Sequence, residues 1–369
     1  MLGLLHLFLV SLTILVRRSV GTTEHQIILP LDFKSYIESQ KLPLILNRDS
    51  PTKDELENAT FVVLCRNEDL YDLLETIQSI QDRFNSKYSY DWVFLNDVPF
   101  TSHFIYSVAN FITNSTLKFG QIDPHEWDIP SWINQTYMHQ LWDENYQDTP
   151  YGTSESYRLM CRYFSGFLHN HPLIQPYQYY WRIEPGVKYY CDIDYDVFRH
   201  MRENDLLYGF TISMFEYRDT IPSLWSHFKQ FMQNTNREYG DLIRFVMNDD
   251  DENSYNLCHF WSNFEIANLD IFRGRVYKEY FEYLDQTGGF FYERWGDAPV
   301  HSLFVSSFLE PEDVWWFGDM GYYHGPYLQC PQDSKIFELG KCSCNPTKDF
   351  SFGYYSCTEH FLKIRNHFK

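Results

Sequence analysis

The sequence predicts an α/β domain organised around a mainly parallel central sheet. Three observations point there. A continuous apolar run, Thr60 to Cys65, shows no alternation and reads as a strand buried on both faces. Behind it, apolar residues recur at Leu70, Leu73, Leu74, Ile77, Ile80 and Phe84, the spacing of one helix face. Trp92 to Leu95 is a second buried run, ending in Asn96-Asp97. Strand, helix and strand in that order make a βαβ unit whose strands lie parallel.

The bulk composition agrees with a folded, core-rich chain. Of 369 residues, 44% are apolar and 19% aromatic, too much hydrophobic surface for a disordered protein. The formal net charge of -20 repels polyphosphate backbones and argues against nucleic acid as a partner. By the same reasoning, any anionic ligand needs local help from Arg, Lys or a metal ion.

Residues 1–20 open with the apolar stretch Leu2 to Val16, followed by Arg17-Arg18. As a helix this stretch spans roughly 23 Å, short for a bilayer core of about 30 Å. It reads as an uncleaved signal-anchor or a cleaved signal peptide. Residues 21–55 are polar, with Pro30, Pro43 and Pro51, and read as a stem. The folded domain is expected over 56–369. Sequons at Asn58, Asn114 and Asn134 fit entry into the secretory pathway, while Pro346 excludes Asn345. Four of the eight cysteines, Cys330, Cys342, Cys344 and Cys357, fall in the last forty residues. They predict a disulfide-stapled tail. Zinc is the competing reading, although Cys342-Ser-Cys344 is tighter than the usual ligand spacing.

Within the domain, Asn67 is expected to cap the first helix. The segment "QYYWRIEP" is a third strand, ended by Glu184-Pro185, because proline stops the ladder and disfavours helix before it. "LLYGFTISMFE", Leu206 to Glu216, is a fourth strand with Glu216 near its end. Ligands of open α/β sheets bind beyond the carboxyl ends of strands, so both glutamates are site candidates. The plainer reading is a solvated strand terminus. In "SESYRLMCRYFSGF", Ser154 is a plausible helix cap and Tyr157 starts the helix. Arg158 and Arg162, four apart on one face, suit a pyrophosphate clamp, or else a solvent-facing pair beside Glu155. Asp192, Asp194 and Asp196 form a further acidic cluster, and Asp-x-Asp within a strand would present two carboxylates on one face to a metal ion. Glu265, between Phe264 and Ile266, carries a desolvation cost unless it is paired or functional. "GGFFYERWGDAPVHSLF" combines aromatics with Glu293, Asp297 and His301, a composition suited to a sugar. His324 stands alone in "GYYHGPY" and depends on what converges on it.

From about residue 56 to 360 the chain resembles the fungal α-1,2-mannosyltransferases of glycosyltransferase family 15. The resemblance rests on "ATFVVLCRNEDLYDLLETIQSIQDRFN", "YDWVFLND", "SYRLMCRYFSGF", "YYWRIEPGVKYYCDIDYD", "YGFTI", "FWSNFEIA", "FFYERWGDAPVHS" and "GYYHGPY", in that order. It implies a single GT-A-like catalytic domain over 56–369 with a mixed, mainly parallel sheet, carried on a type II Golgi membrane anchor. It also implies transfer of mannose from GDP-mannose, with Mn²⁺, to the 2-hydroxyl of a mannosylated glycoprotein acceptor, with retention of the α configuration. Glu184 takes the place of the family's acidic element at the metal-nucleotide site. The resemblance implies a further acid two residues on, where this chain has Gly186. His324 matches the metal-ligand histidine and Glu265 the candidate catalytic carboxylate. Tyr157, Glu216 and Asp297 match other donor or acceptor positions. Two rival readings are a retaining glycosidase, which also needs paired carboxylates, and an inactive lectin-like binder of mannosides.

Overall fold

The structure is a computed structural model that describes residues 44–46, 56–248, 250–251 and 253–367. The signal-anchor segment 1–20 and most of the stem lie outside the described residues. Among the described residues no helix is long and apolar enough to cross a membrane.

Thirteen strands are described: β1 (Leu44–Leu46), β2 (Ala59–Leu64), β3 (Asp91–Asn96), β4 (Leu117–Gln121), β5 (Tyr179–Ile183), β6 (Lys188–Tyr189), β7 (Tyr208–Phe210), β8 (Ser213–Phe215), β9 (Cys258–Phe260), β10 (Glu265–Asn268), β11 (Val314–Trp316), β12 (Tyr322–His324) and β13 (Tyr327–Leu328). Eight of them form the main sheet in the order β1-β4-β3-β2-β5-β10-β7-β11. The block β4-β3-β2-β5 is parallel throughout. β10 inserts antiparallel to β5 and β7, and β11 runs parallel to β7. The sheet is therefore mixed and mainly parallel. β12 pairs with β13 and β6, and β8 with β9, in two small outer sheets.

The unbroken apolar runs are explained by what lies on each side. Val62, Val93, Leu95 and Tyr180 face one apolar cluster, while Phe61, Val63, Trp92, Phe94 and Trp181 face the other. Successive strand residues point to opposite faces, so only a strand covered on both sides is apolar at every position. Helices Leu70–Ile80, Ser102–Phe111 and Val197–Glu203 cover one face. Helices Gln135–Asn145, Glu155–Gly166, Leu224–Asn234, Arg275–Thr287 and Asp297–Phe308 cover the other.

Three local expectations change. Asn67 does not cap the first helix; its side chain accepts from the Thr101 amide at 2.8 Å and donates to the Pro99 carbonyl at 3.2 Å. The entry turn is closed instead by Asp69, which accepts from the Arg66 amide at 2.8 Å. The single strand expected over 206–216 breaks into β7 and β8. The carbonyl of Thr211 goes to the Trp316 indole at 2.9 Å and that of Ile212 to the Trp261 amide at 2.9 Å, which ends the main-sheet ladder there. The tail is disulfide-bonded, but mostly to the body of the domain: Cys191–Cys342 and Cys258–Cys357 cross-link it, and only Cys330–Cys344 closes within it. All four tail cysteines are consumed, which removes the zinc reading.

One turn matters for the site. After β5, Glu184-Pro185-Gly186-Val187 reverses the chain into β6, and Gly186 has φ +86°. That left-handed conformation strains most side chains, which gives this position a backbone reason to be glycine.

Candidate active site

Arg182 organises the centre. It lies in β5 between Trp181 and Ile183, on a strand buried along its whole length. A guanidinium in that position requires counter-charges. Its Nη1 donates to Asp297 Oδ2 and its Nη2 to Glu184 Oε1, each at 2.5 Å. The ring of Phe164 lies 3.4 Å from the guanidinium carbon. Asp297 Oδ2 also accepts from Ser262 Oγ at 2.7 Å. Asp297 begins the helix Asp297–Phe308, where a carboxylate meets the positive end of the helix dipole.

Glu184 stands at the carboxyl end of β5, as the proline after it predicts. Its second oxygen, Oε2, lies 3.4 Å from His324 Nε2. The chain reversal at Gly186 makes this contact possible. β6 returns beside β12, and β12 ends on His324. The imidazole packs edge-on against Trp261, with ring centroids 4.8 Å apart. Burial pushes the Glu184 carboxyl up, but Arg182 and His324 outweigh it and hold the group at about 2. Asp297 is likewise held below the ordinary carboxylate range, burial opposing and Arg182 prevailing. Both acids are ionised at neutral pH.

A second set closes the cleft. Ser154 Oγ accepts from the Tyr157 amide at 3.2 Å, so the predicted cap is real and fixes the start of the helix Glu155–Gly166. That helix turns Tyr157, Met160 and Phe164 towards the centre; Arg182 Nη2 lies 3.9 Å from Met160 Sδ. Arg294 donates to the Tyr157 hydroxyl at 3.1 Å and lies 3.5 Å from Glu216 Oε1. Glu216 Oε2 would be 3.9 Å from a Cβ added at Gly296, so Glu216 lies against the turn that leads into Asp297. The structure thus gathers Tyr157, Glu184, Glu216, Asp297 and His324 around Arg182 and Arg294.

Three expectations change. Arg158 and Arg162 do not clamp a phosphate. Arg158 has no exposed surface; it donates to the Glu293 carbonyl at 3.0 Å and stacks on Trp142 at 4.1 Å. Arg162 makes a bidentate pair with the buried Asp285 at 2.7 and 2.8 Å. The two do share a helix face, but that face packs inward. Glu265 is also closed off, with 0% exposure. Its Oε1 accepts from the Tyr180 hydroxyl, and its Oε2 from the Tyr208 hydroxyl at 2.7 Å and His301 Nδ1 at 2.9 Å. Burial raises its pKa, with His301 opposing. As placed, this carboxylate is enclosed opposite Arg182 on the neighbouring strand, with both oxygens taken up by protein donors. Finally, the aspartate cluster does not converge on a common point. Residues 192–194 are not in a strand; Asp192 pairs with Arg83 and Lys341, Asp194 with Lys87, and Asp196 caps the helix Val197–Glu203.

Among the described residues no group of three or more His, Cys, Asp or Glu side chains stands ready for a metal ion. The pair of His324 Nε2 and Glu184 Oε2 offers one nitrogen and one oxygen donor at an accessible corner. That set fits Mn²⁺, which accepts both ligand types, if phosphate and water oxygens complete the shell. Arg182, Arg294 and Ser262 escaped the sequence reading. For Arg182 a signal existed: a lone cation inside a fully apolar strand demands partners.

The family described as glycolipid 2-alpha-mannosyltransferase matches residues 32–366. A probable mannosyltransferase of Candida albicans, MNT3, is 51% identical over 95% of this chain and 92% of its own. The alpha-1,2 mannosyltransferase KTR1 of Saccharomyces cerevisiae is 50% identical over 84% of this chain and 79% of its own. A crystal structure of core-mannan synthase A from Aspergillus fumigatus, in an Mn/GDP form, superposes with a TM-score of 0.78 at 38% identity, covering 84% of this chain and 86% of that one.

Proposed function

The chain belongs to the glycolipid 2-alpha-mannosyltransferase family, and on that premise we propose that it transfers mannose from GDP-mannose to the 2-hydroxyl of an acceptor mannoside, keeping the α configuration. The observation that supports this most is the meeting of His324, Glu184 and Asp297 with Arg182 at the carboxyl end of β5. Parallel α/β sheets bind nucleotides at that end.

His324 and Glu184 would hold Mn²⁺, which when bound supplies positive charge to the departing diphosphate. The residues themselves bind and orient. Arg182 fixes the Glu184 and Asp297 carboxylates in place, so neither reorganises when a sugar arrives. Asp297, Glu216 and the Tyr157 hydroxyl present acceptors and a donor to sugar hydroxyls. Because Glu265 is saturated, retention is better served by shielding one face of a short-lived ion pair than by an ester on that residue. We place the acceptor in O- or N-linked mannan chains. We assign the protein to the Golgi membrane with its catalytic domain lumenal, as the apolar segment Leu2 to Val16, the sequons and the three disulfides support.

The test is incubation of the purified full chain with GDP-mannose, Mn²⁺ and methyl α-mannoside, with product linkage read by NMR. An α-1,2 disaccharide is expected. Metal-independent cleavage of a mannoside without GDP-mannose would instead make the protein a glycosidase, and intact mannoside binding without transfer would make it a lectin.

A further inference from the structure

The fold treats the three sequons differently. We propose that Asn134, rather than Asn58 or Asn114, carries an N-linked glycan, and that its first N-acetylglucosamine lies on the exposed indole of Trp132. The proposal rests on the lumenal reading above. In the transfer, the Asn134 side-chain nitrogen forms a bond to the anomeric carbon of an oligosaccharide held on a lipid diphosphate. The bond from that carbon to the diphosphate oxygen breaks, the diphosphate leaves with the lipid, and the nitrogen gives up one proton to a base.

Asn134 offers a usable amide. It is exposed and stands immediately before the helix Gln135–Asn145. Its Oδ1 accepts from the Tyr137 amide at 3.1 Å and caps the helix. Its backbone amide donates to the Tyr292 hydroxyl at 2.8 Å, which fixes the residue. The cap uses the oxygen alone, so it survives when Nδ2 takes a sugar. Thr136, the third residue of this sequon, is also exposed.

The other two sequons are tied into the fold. Asn114 Nδ2 donates to Ser89 Oγ at 2.8 Å and to the Ser86 carbonyl at 3.4 Å, while Oδ1 accepts from Gln81 Nε2 at 3.4 Å. A sugar on that nitrogen displaces part of this network, and Ser115 and Thr116 after it are buried. Asn58 Nδ2 donates to the Pro176 carbonyl at 2.8 Å. Its sequon threonine, Thr60, is buried in β2 with its hydroxyl on the Asp91 carbonyl at 2.9 Å.

The surface around Asn134 also suits a sugar. Trp132, two residues before it, is 46% exposed, and Tyr137, three residues after it, is 50% exposed. The Trp132 indole nitrogen donates to the Asp285 carbonyl at 3.4 Å, which anchors the ring. The Tyr137 ring packs beside Tyr292, with centroids 5.7 Å apart. Aromatic rings left this open to water gain from an apolar cover, and the face of a hexosamine supplies one.

The test uses the full chain purified from a yeast host. Digestion with peptide N-glycosidase F in heavy-oxygen water converts each glycosylated Asn into labelled Asp, and mass spectrometry of the peptides locates the label. The label is expected chiefly at Asn134. A greater share at Asn58 or Asn114 overturns the proposal and leaves the lumenal reading standing, whereas no label at any sequon overturns both. Thr136→Ala then removes the sequon while keeping the cap. It should lower the melting temperature by about 2 °C, the scale of one lost aromatic contact in a domain of this size. In a Trp132→Ala background the same substitution should change nothing. An unchanged melt in the first comparison, or an equal drop in both, overturns the contact with Trp132.

Discussion

Replacing Arg182 with methionine removes the guanidinium held between two carboxylates. Asp297, whose side chain is 6% exposed, would keep Ser262 and the helix N-terminus but lose its counter-charge. Breaking a buried pair from one side costs about 3–5 kcal/mol, because an uncompensated charge remains. The surviving partners place the expected loss near the lower end, about 3 kcal/mol. Glu184 loses its main counter-charge as well, so about 3 kcal/mol is a lower bound, although its side chain is 23% exposed and His324 remains 3.4 Å away. The loss has a pH signature. In the wild type Arg182 holds Asp297 below its unfolded value. Without Arg182, burial prevails, the folded-state pKa of Asp297 rises above the unfolded one, and the folded state takes up the proton first. Stability is then regained as pH falls through the raised value. Urea unfolding followed by tryptophan fluorescence should show the largest deficit near neutral pH and a smaller one near pH 4.5. Adding Asp297→Asn should restore part of the loss. Equal deficits at both pH values, with additive costs in the double variant, would refute the reasoning.

Three further outcomes follow from the same contacts. Glu184, held at about 2 against an ordinary 4.5, contributes stability that is fully present above pH 4.5 and lost as pH falls through 2. Glu184→Gln should therefore flatten the acid limb of the stability curve by about 3 kcal/mol, and an unchanged limb would contradict the pairing. Glu265→Gln places an amide where three donors converge and should cost about 1–3 kcal/mol, read as a lower melting temperature. An unchanged melt with abolished turnover would instead mark Glu265 as the attacking carboxylate. Removing Cys258–Cys357, which closes a 99-residue separation, should destabilise by about 4–5 kcal/mol, against about 3 kcal/mol for the 14-residue Cys330–Cys344; denaturant midpoints check the order.

Much of this fold was legible in the sequence, for identifiable reasons. β2, β3 and β5 announced themselves because strands covered on both faces are apolar at every position. The helix Leu70–Ile80 showed its period because one side meets the sheet and the other meets water. The antiparallel insertion of β10 was not legible: four residues give too short a pattern, and Glu265 at its start disguises a buried strand. The break between β7 and β8 was hidden because it depends on side-chain and backbone groups of Trp316 and Trp261, far along the chain. At the site, the Glu-Pro signal located Glu184 through local backbone chemistry alone. The arginine pair and the aspartate cluster misled because spacing reports which face a residue shares, not whether that face meets solvent or a partner such as Asp285 or Arg83.

The most direct test of the site is the affinity of the full chain for GDP, measured by calorimetry across a range of Mn²⁺ concentrations, in the wild type and in His324→Ala. If the imidazole and Glu184 hold the ion against the diphosphate, GDP binds more tightly as Mn²⁺ rises in the wild type, and this dependence collapses in the variant. The same Mn²⁺ dependence in both proteins would place the metal elsewhere and contradict the assignment of that corner.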